Sequence, residues 1–444
     1  MAIINGRRVR PIVTNFQRFL RAEYAGGILL LIATSIALVW ANSPYRDSYA
    51  SVWATKLTVG IGEFSLSKSL FLWINDGLMA VFFFVVGLEI KREILVGELS
   101  NPRKAIFPIV AALGGMLFPA LLYFAVNGQG AGAHGWGVPM ATDIAFALGI
   151  LSLLGRRAPL SLKIFLTAVA IVDDIGAVLV IAIFYSGAVA WNYLLLGLLV
   201  LLALFAMNRL QVRNPVPYMV LGLVLWVLIL QSGVHATIAG VLLAMTIPAA
   251  QRIDGQRFVN RIRELLVGFE EAGEKGVEII ANRQQKSILT SMEHNVELVR
   301  APLLRLEHGL HPYVSYGIMP LFALANAGIY LGEGLGAALT SPIAIGIFVG
   351  LVLGKQVGVT LFGWLTTRFG WAQLPDGLSW RQIYGVAWLA GIGFTMALFV
   401  ADLAFTNEEH LLMAKVGILG ASVFSALVGS VILLTSRVTA EESA

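Results

Sequence analysis

The chain has 444 residues, of which 58% are hydrophobic and only 13% charged, and its mean hydropathy is +0.80. A soluble domain carries about 25% charged residues, so an ordinary water-soluble protein is excluded. The net charge of +5 does not require nucleic acid, because the basic residues fall where membrane topology needs them, and the absence of cysteine excludes disulfides, thiolate chemistry and cysteine-ligated metals.

Arg7, Arg8, Arg10, Arg18 and Arg21 precede the first apolar run. No small-residue cleavage site follows Trp40, so this run reads as a first spanning helix rather than a removed leader. Twelve candidate spans follow in order: 24–42, 69–90, 105–126, 137–154, 160–185, 192–208, 215–230, 233–248, 302–326, 342–364, 380–402 and 412–435. The runs do not alternate as the strands of an outer-membrane barrel do. With the N-terminus inside, 26 of the 31 Lys and Arg fall in inside segments, three fall outside and two lie within spans. Losing or adding one helix would scramble that bias, which predicts an all-α polytopic protein with both termini cytoplasmic. The segment 43–68 joins the first two spans on the outside. The segment 249–301 is a charged stretch with a helical pattern over 283–300, and it reads as a solvated cytoplasmic helical insertion.

An ionised side chain at the centre of a spanning helix costs about 2.5–3.5 kcal/mol, so the charged residues within spans are the informative ones. They are Asp76, Asp143, Asp173, Asp174 and Lys355; Glu89 lies at a span end, within reach of water. Asp173 and Asp174 stand in the middle of "AVAIVDDIGAVLV". Adjacent helical residues point about 100° apart, so both carboxylates can border one cavity. Such a pair either holds protons and is neutral or holds a small hard cation through its oxygens. Those states exclude each other, and that exclusion is the basis of cation/proton exchange. In "GVPMATDIAFALGI", Pro139, Thr142 and Asp143 at mid-depth predict an interrupted helix with freed backbone groups in need of partners. Lys355, in "GLVLGKQVGVTLFG", needs a carboxylate partner or the carbonyl ends of a broken helix, and a bridge to one of the paired aspartates is the expectation. Gly391, Gly393 and Thr395 mark a second interruption, in the eleventh span. The interrupted fourth and eleventh spans are each the middle of a three-helix group of opposite orientation, the pattern of an inverted repeat with its site at mid-membrane. Of the six histidines, His308 and His311 follow Glu307 in "RLEHGLHP" at the cytoplasmic start of the ninth span, where they are either interfacial or sensors of pH. His235 reads as packing near an outer helix end. No organic cofactor or nucleotide motif is visible.

The strings "NDGLMAVFFFVVGLEIKRE", "ATDIAFALG", "LKIFLTAVAIVDDIGA", "SGVHATIAG", "RLEHGLHP", "PLFALANAG" and "GIGFTMALF" resemble the NhaA family of bacterial Na+/H+ antiporters. The resemblance runs from about Tyr24 to Val431 without the 249–301 segment, which is longer than the family leads one to expect and abuts the His308–His311 region. It implies an inner-membrane exchanger, not an enzyme, with two interrupted helices crossing at mid-membrane. Asp173 and Asp174 would bind Na+ or Li+ and the exchanged protons. Lys355 would pair with Asp173, and Thr142 and Asp143 would stabilise the crossing. Asp76 would be a buried carboxylate of the second span. Glu89, Glu307, His308 and His311 would form a pH-sensing cluster. The 43–68 segment, with "VGIGEFSLS", would be a periplasmic hairpin through which homodimers form. The substrates would be Na+, Li+ and H+, in a lipid bilayer. Other readings are a proton-coupled exchanger of another monovalent cation such as K+, an ion channel, for which no selectivity-filter repeat is seen, and a non-transporting scaffold, which has no use for mid-membrane charges.

Overall fold

The computed structural model describes residues 25–61, 64–250, 255–273, 280–332, 334–375 and 377–436. The basic stretch within residues 7–21 and parts of the 249–301 segment lie outside the described residues. Helix α1 (Ala25–Ala41) turns by 115° into α2 (Arg46–Ala54). An antiparallel ribbon follows, with β1 (Lys56–Ile61) paired to β2 (Phe64–Ser69) from Lys56↔Ser69 to Ile61↔Phe64. This ribbon, a β element among helices, lies in the 43–68 segment: Leu57 and Val59 alternate with Lys56, Thr58 and Gly60 along β1, a pattern that suits a short strand rather than a helix.

Two long helices come next, α3 (Leu70–Val96) and α4 (Pro102–Asn127). A 3-10 stretch (Ala133–Met140) and α5 (Ile144–Leu153) then form one interrupted span. The chain continues through α6 (Leu160–Phe184), α7 (Trp191–Arg209), α8 (Pro215–Gln231) and α9 (Thr237–Thr246). The 249–301 segment contains two helices packed on each other, α10 (Gly255–Glu271) and α11 (Arg283–Val299). Asn282 caps α11 and donates to the Ala272 carbonyl at 2.6 Å, which closes the pair. Then come α12 (Pro302–Tyr313), α13 (Met319–Asn326), α14 (Leu335–Thr340), α15 (Pro342–Arg368), α16 (Trp380–Ala390), α17 (Phe394–Ala404) and α18 (Glu408–Leu434).

Among the described residues, seven helices are long and apolar enough to cross a membrane, or nine if each of two bent pairs counts as one span. Of the remaining expected spans, α8 has 17 residues and α9 only 10, the chain before it turning at Gly233 with φ of +82°. Expected span 302–326 carries Arg305, Glu307, His308 and His311 in its first half. The surface is that of a protein solvated by hydrocarbon: α7 exposes Leu195 at 58%, Leu199 at 61% and Leu202 at 55%. The chain is a multi-pass membrane protein. Two ends of the bundle can be told apart along α3, a hairpin end at Leu70 and a basic end at Lys91 and Arg92.

Among the described residues, three π turns, none signalled by the sequence, lie inside long helices: Trp73–Leu78 in α3, Val314–Ile318 between α12 and α13, and Gly350–Gly354 in α15. Each adds a residue to a turn and so rotates the face presented after it. Lys355 is the first residue after the third. Helix α15 is pressed against α4 where glycine meets glycine: a Cβ on Gly358 would stand 2.1 Å from the Gly114 carbonyl oxygen. A backbone atom cannot rotate away. Gly358→Ala is therefore expected to destabilise the protein by about 1–3 kcal/mol, the cost of overpacking, read as a lower melting temperature in detergent. A thermal profile equal to wild type would show that α4 and α15 part freely.

Candidate functional site

The two interruptions meet. The first span breaks over residues 141–143, where Ala141 and Asp143 are extended, and the second bends by 43° between α16 and α17. Four backbone ends are thus exposed at mid-depth, two positive and two negative, and each must find a partner away from water.

Asp143 serves both positive ends. Its Oδ1 accepts the Phe146 N–H at 2.9 Å, capping α5, and its Oδ2 accepts the Thr395 N–H at 3.0 Å and the Thr395 hydroxyl, capping α17. The Asp143 N–H donates to the Ile392 carbonyl at 2.7 Å, which ties the two breaks directly. Ser422 of α18 accepts the Phe394 N–H at 3.1 Å. Lys355 and Thr142 serve the negative ends. Lys355 Nζ donates to the carbonyl of Met140, the last residue of the 3-10 stretch, and to Asp173 Oδ2 at 2.7 Å. The Thr142 hydroxyl lies 2.8 Å from the carbonyl of Ala390, the last residue of α16, and 2.7 Å from Asp173 Oδ2. Its single proton serves one of these acceptors at a time. The two sequence readings of Lys355, partner of a paired aspartate and neutraliser of a broken helix, are therefore one arrangement.

Lys355, Thr142 and Asp143 are wholly buried, and Asp173 and Asp174 are 1% exposed. Oδ1 of Asp173 and Oδ1 of Asp174 are buried and have no hydrogen-bond partner among the described residues. Such oxygens are costly when buried unless a proton, a cation or water reaches them. The two carboxylates differ in access. Asp174 lines a cavity of about 330 Å³ together with Asp143, Glu89 and His311, whereas Asp173 is turned toward Lys355 and Thr142. Gly26 and Gly27 of α1, and Val314 to Tyr316 at the second π turn, form part of the wall.

Toward the basic end, Arg92 bridges Glu93 and Glu307, each at 2.9 Å. His311 lines both this region and the Asp174 cavity. His308 instead faces outward and bonds the Leu304 carbonyl of its own helix at 2.8 Å. Lys91 donates to the Met245 and Ile247 carbonyls at the end of α9, at 2.7 and 2.5 Å. Glu89, Glu307 and His311 are thus brought together, and His308 is at their edge.

Asp76 is not brought to the crossing. Its place among the mid-depth charges is corrected: it sits in the first π turn at the hairpin end, its side chain 20% exposed and paired with Lys68 of β2 at 2.7 Å. The expected span began at residue 69, so the position was readable as shallow; what was hidden was the Lys68 partner folded back on the ribbon. Arg92, a basic residue of an inside segment, and Asp402 of α17, at a span end where a carboxylate is cheap, are residues the sequence reading does not single out. The signal for Asp402 was the single charge in "TMALFVADLAF".

Residues 17–433 match the profile of the family described as Na+/H+ antiporter 1. The chain is 54% identical over 422 residues to a Na+/H+ antiporter NhaA of Oleidesulfovibrio alaskensis, covering 94% of each. It is 48% identical over 425 residues to the NhaA of Koribacter versatilis, covering 96% of this chain and 92% of that one. Against NhaA 2 of Syntrophotalea carbinolica it is 48% identical over 437 residues, 98% of this chain and 99% of that one. The chain belongs to the NhaA family of Na+/H+ antiporters and is, by family, a multi-pass membrane exchanger rather than an enzyme.

Proposed function

We propose that the chain is an electrogenic antiporter of the bacterial inner membrane that expels Na+, and Li+, in exchange for inward-moving protons, with Asp173 and Asp174 as the shared site. The single observation that carries this reading is the buried pair itself: two adjacent carboxylates, one held by Lys355 and Thr142, the other facing a cavity. Hard oxygen ligands suit Na+ and Li+, and the same oxygens take protons when the cation leaves.

Two ionised aspartates with one Na+ carry a charge of −1, and the doubly protonated pair carries 0. With Lys355 constantly charged, about two protons enter per sodium expelled. If Lys355 itself releases a proton, it supplies one of the two, and the overall exchange is the same. The breaks at 141–143 and 391–393, with Asp143 and Thr142 bonded across them, hold the site between two groups of helices. These groups, spans 3–5 and 10–12 of twelve, act as inverted repeats that rock to expose the site to one side at a time. Both termini are cytoplasmic, and the 249–301 helices lie on that side. Glu89, Glu307 and His311, with His308 at the edge, sense cytoplasmic pH, while the α2 and β1–β2 segment supports a homodimer.

The test is proton movement in proteoliposomes followed by a pH-sensitive dye after pulses of Na+, Li+ or K+, with and without a voltage clamp. Na+ and Li+ are expected to move protons and K+ not, with rates that respond to the imposed voltage. A response to K+ alone would shift the substrate, and rates indifferent to voltage would overturn the two-proton stoichiometry.

A further inference from the structure

A second polar group lies at the hairpin end and is not used above. Asp402 of α17 accepts the Asn75 side-chain N–H at 2.9 Å. Asn75 and Asn326, buried at 3% and 0% exposure, exchange amide hydrogen bonds at 3.0 and 3.5 Å. Among the described residues, Lys415 of α18 and Asp76 are the charged groups within electrostatic reach of Asp402, and Asp76 is held by Lys68. Three polar side chains from three helices, α3, α13 and α17, thus converge at the end of the bundle opposite the Glu89 region. Asp402 is partly exposed and the asparagines are not, so the group leads inward from the surface.

What separates it from the crossing is equally specific. On each of the same three helices a phenylalanine stands between the polar residue and a residue that lines the Asp174 cavity: Phe83 between Asn75 and Val86, Phe322 between Asn326 and Met319, Phe399 between Asp402 and Met396. The rings pack as one layer, with centroids 5.5 Å apart for Phe83 and Phe399 and 6.2 Å for Phe322 and Phe399, and none is more than 1% exposed. The aspartates therefore communicate with the basic end through a cavity, and an apolar layer of three rings closes them from the hairpin end. Along α17, the three residues from Phe399 to Asp402 rise about 4.5 Å, so the carboxylate sits one turn outside the layer.

We propose that Asp402, positioned by Asn75 and Asn326, is the residue that draws the cation toward the paired aspartates from the hairpin end when the Phe83–Phe322–Phe399 layer parts. The proposal rests on the exchanger reading above. A fixed carboxylate at the mouth of a low-dielectric passage concentrates cations there, and a neutral side chain does not. It is a positioning role for access, so its signature is one-sided: it alters apparent affinity from one face only.

The experiment uses full-length protein in proteoliposomes. The chain has no cysteine, so a single cysteine introduced at exposed Thr58 of β1 can be labelled with an impermeant biotin reagent, and vesicles with the hairpin end outward can be captured separately. The apparent KM for Na+ is measured with Na+ supplied at the hairpin end and then at the basic end. Asp402→Asn is expected to raise the hairpin-end KM roughly fivefold, the attraction of one carboxylate along a partly wetted route, with the basic-end KM and maximal rate within about twofold of wild type. Asn75→Ala, which removes the donor that positions Asp402, is the second variant and should shift the same KM in the same direction. Equal shifts at both ends, or none at either, overturn the proposal. Wild-type exchange and its loss in Asp174→Asn are measured in the same vesicles, so a failure of the exchanger reading shows as a silent wild type, independently of Asp402.

Discussion

Asp174→Asn is expected to reduce Na+-driven proton movement by about a hundredfold or more while leaving the protein folded. The substitution keeps the shape of the side chain and removes its charge. In a buried site, losing one charged contact to a cation costs about 2–3 kcal/mol, which is about two orders of magnitude in affinity. The amide also cannot take up and release a proton, so under the proposed two-proton exchange one proton loses its carrier. Folding is spared for a structural reason. Asp174 is not the partner of Lys355, and its Oδ1 makes no hydrogen bond among the described residues, so the neutral amide removes a buried charge without stranding an opposite one. A melting temperature at or above that of wild type, with dye signals at the level of empty liposomes, is the expected pair of measurements. Exchange near the wild-type rate would place the cation elsewhere.

The residues that meet at the crossing are those whose cost in an apolar span made them conspicuous. Asp143, Asp173, Asp174 and Lys355 could be picked out because nothing in packing alone repays a charge at mid-depth. Pro139 and the glycine pair Gly391 and Gly393 marked the breaks because they cannot sustain an ordinary helical ladder. The sequence does not show that one carboxylate, Asp143, caps two helices 250 residues apart, because Thr395 carries no sign of its partner. The three π turns were invisible for a different reason. A π turn has no composition of its own and is stabilised by packing around it, so the rotation that delivers Lys355 to Asp173 appears only in three dimensions. Asp76 and Asp402 show the reverse failure. Near a span end a carboxylate is inexpensive, so sequence depth misjudged both: one was given too central a place, and the other was overlooked.

Lys355 and Asp173 form a pair whose separate and joint removal should differ sharply. Both are wholly enclosed, and Asp173 Oδ2 takes the ammonium at 2.7 Å. Lys355→Ala strands a buried carboxylate, and Asp173→Asn strands a buried ammonium, so each is expected to cost about 3–5 kcal/mol of stability. The double substitution Asp173→Asn with Lys355→Gln strands neither charge. Its amides can still bond the Thr142 hydroxyl and the Met140 carbonyl, and its melting temperature is expected to return close to that of wild type. The coupling free energy from such a cycle reports the pair directly. Transport separates a structural bridge from one that takes part in the charge balance. With Asp174 as the sole remaining titratable carboxylate of the pair, the sodium-loaded and the protonated site both carry zero charge, so one proton is exchanged per sodium and no net charge moves. The double variant is therefore expected to exchange at a rate indifferent to an imposed voltage, where the proposed electrogenic wild type is expected to respond to it. A double variant as unstable as either single one would mean that the bridge is not the dominant contact of these side chains. One that still moves charge would mean that a proton is carried by a group outside the pair.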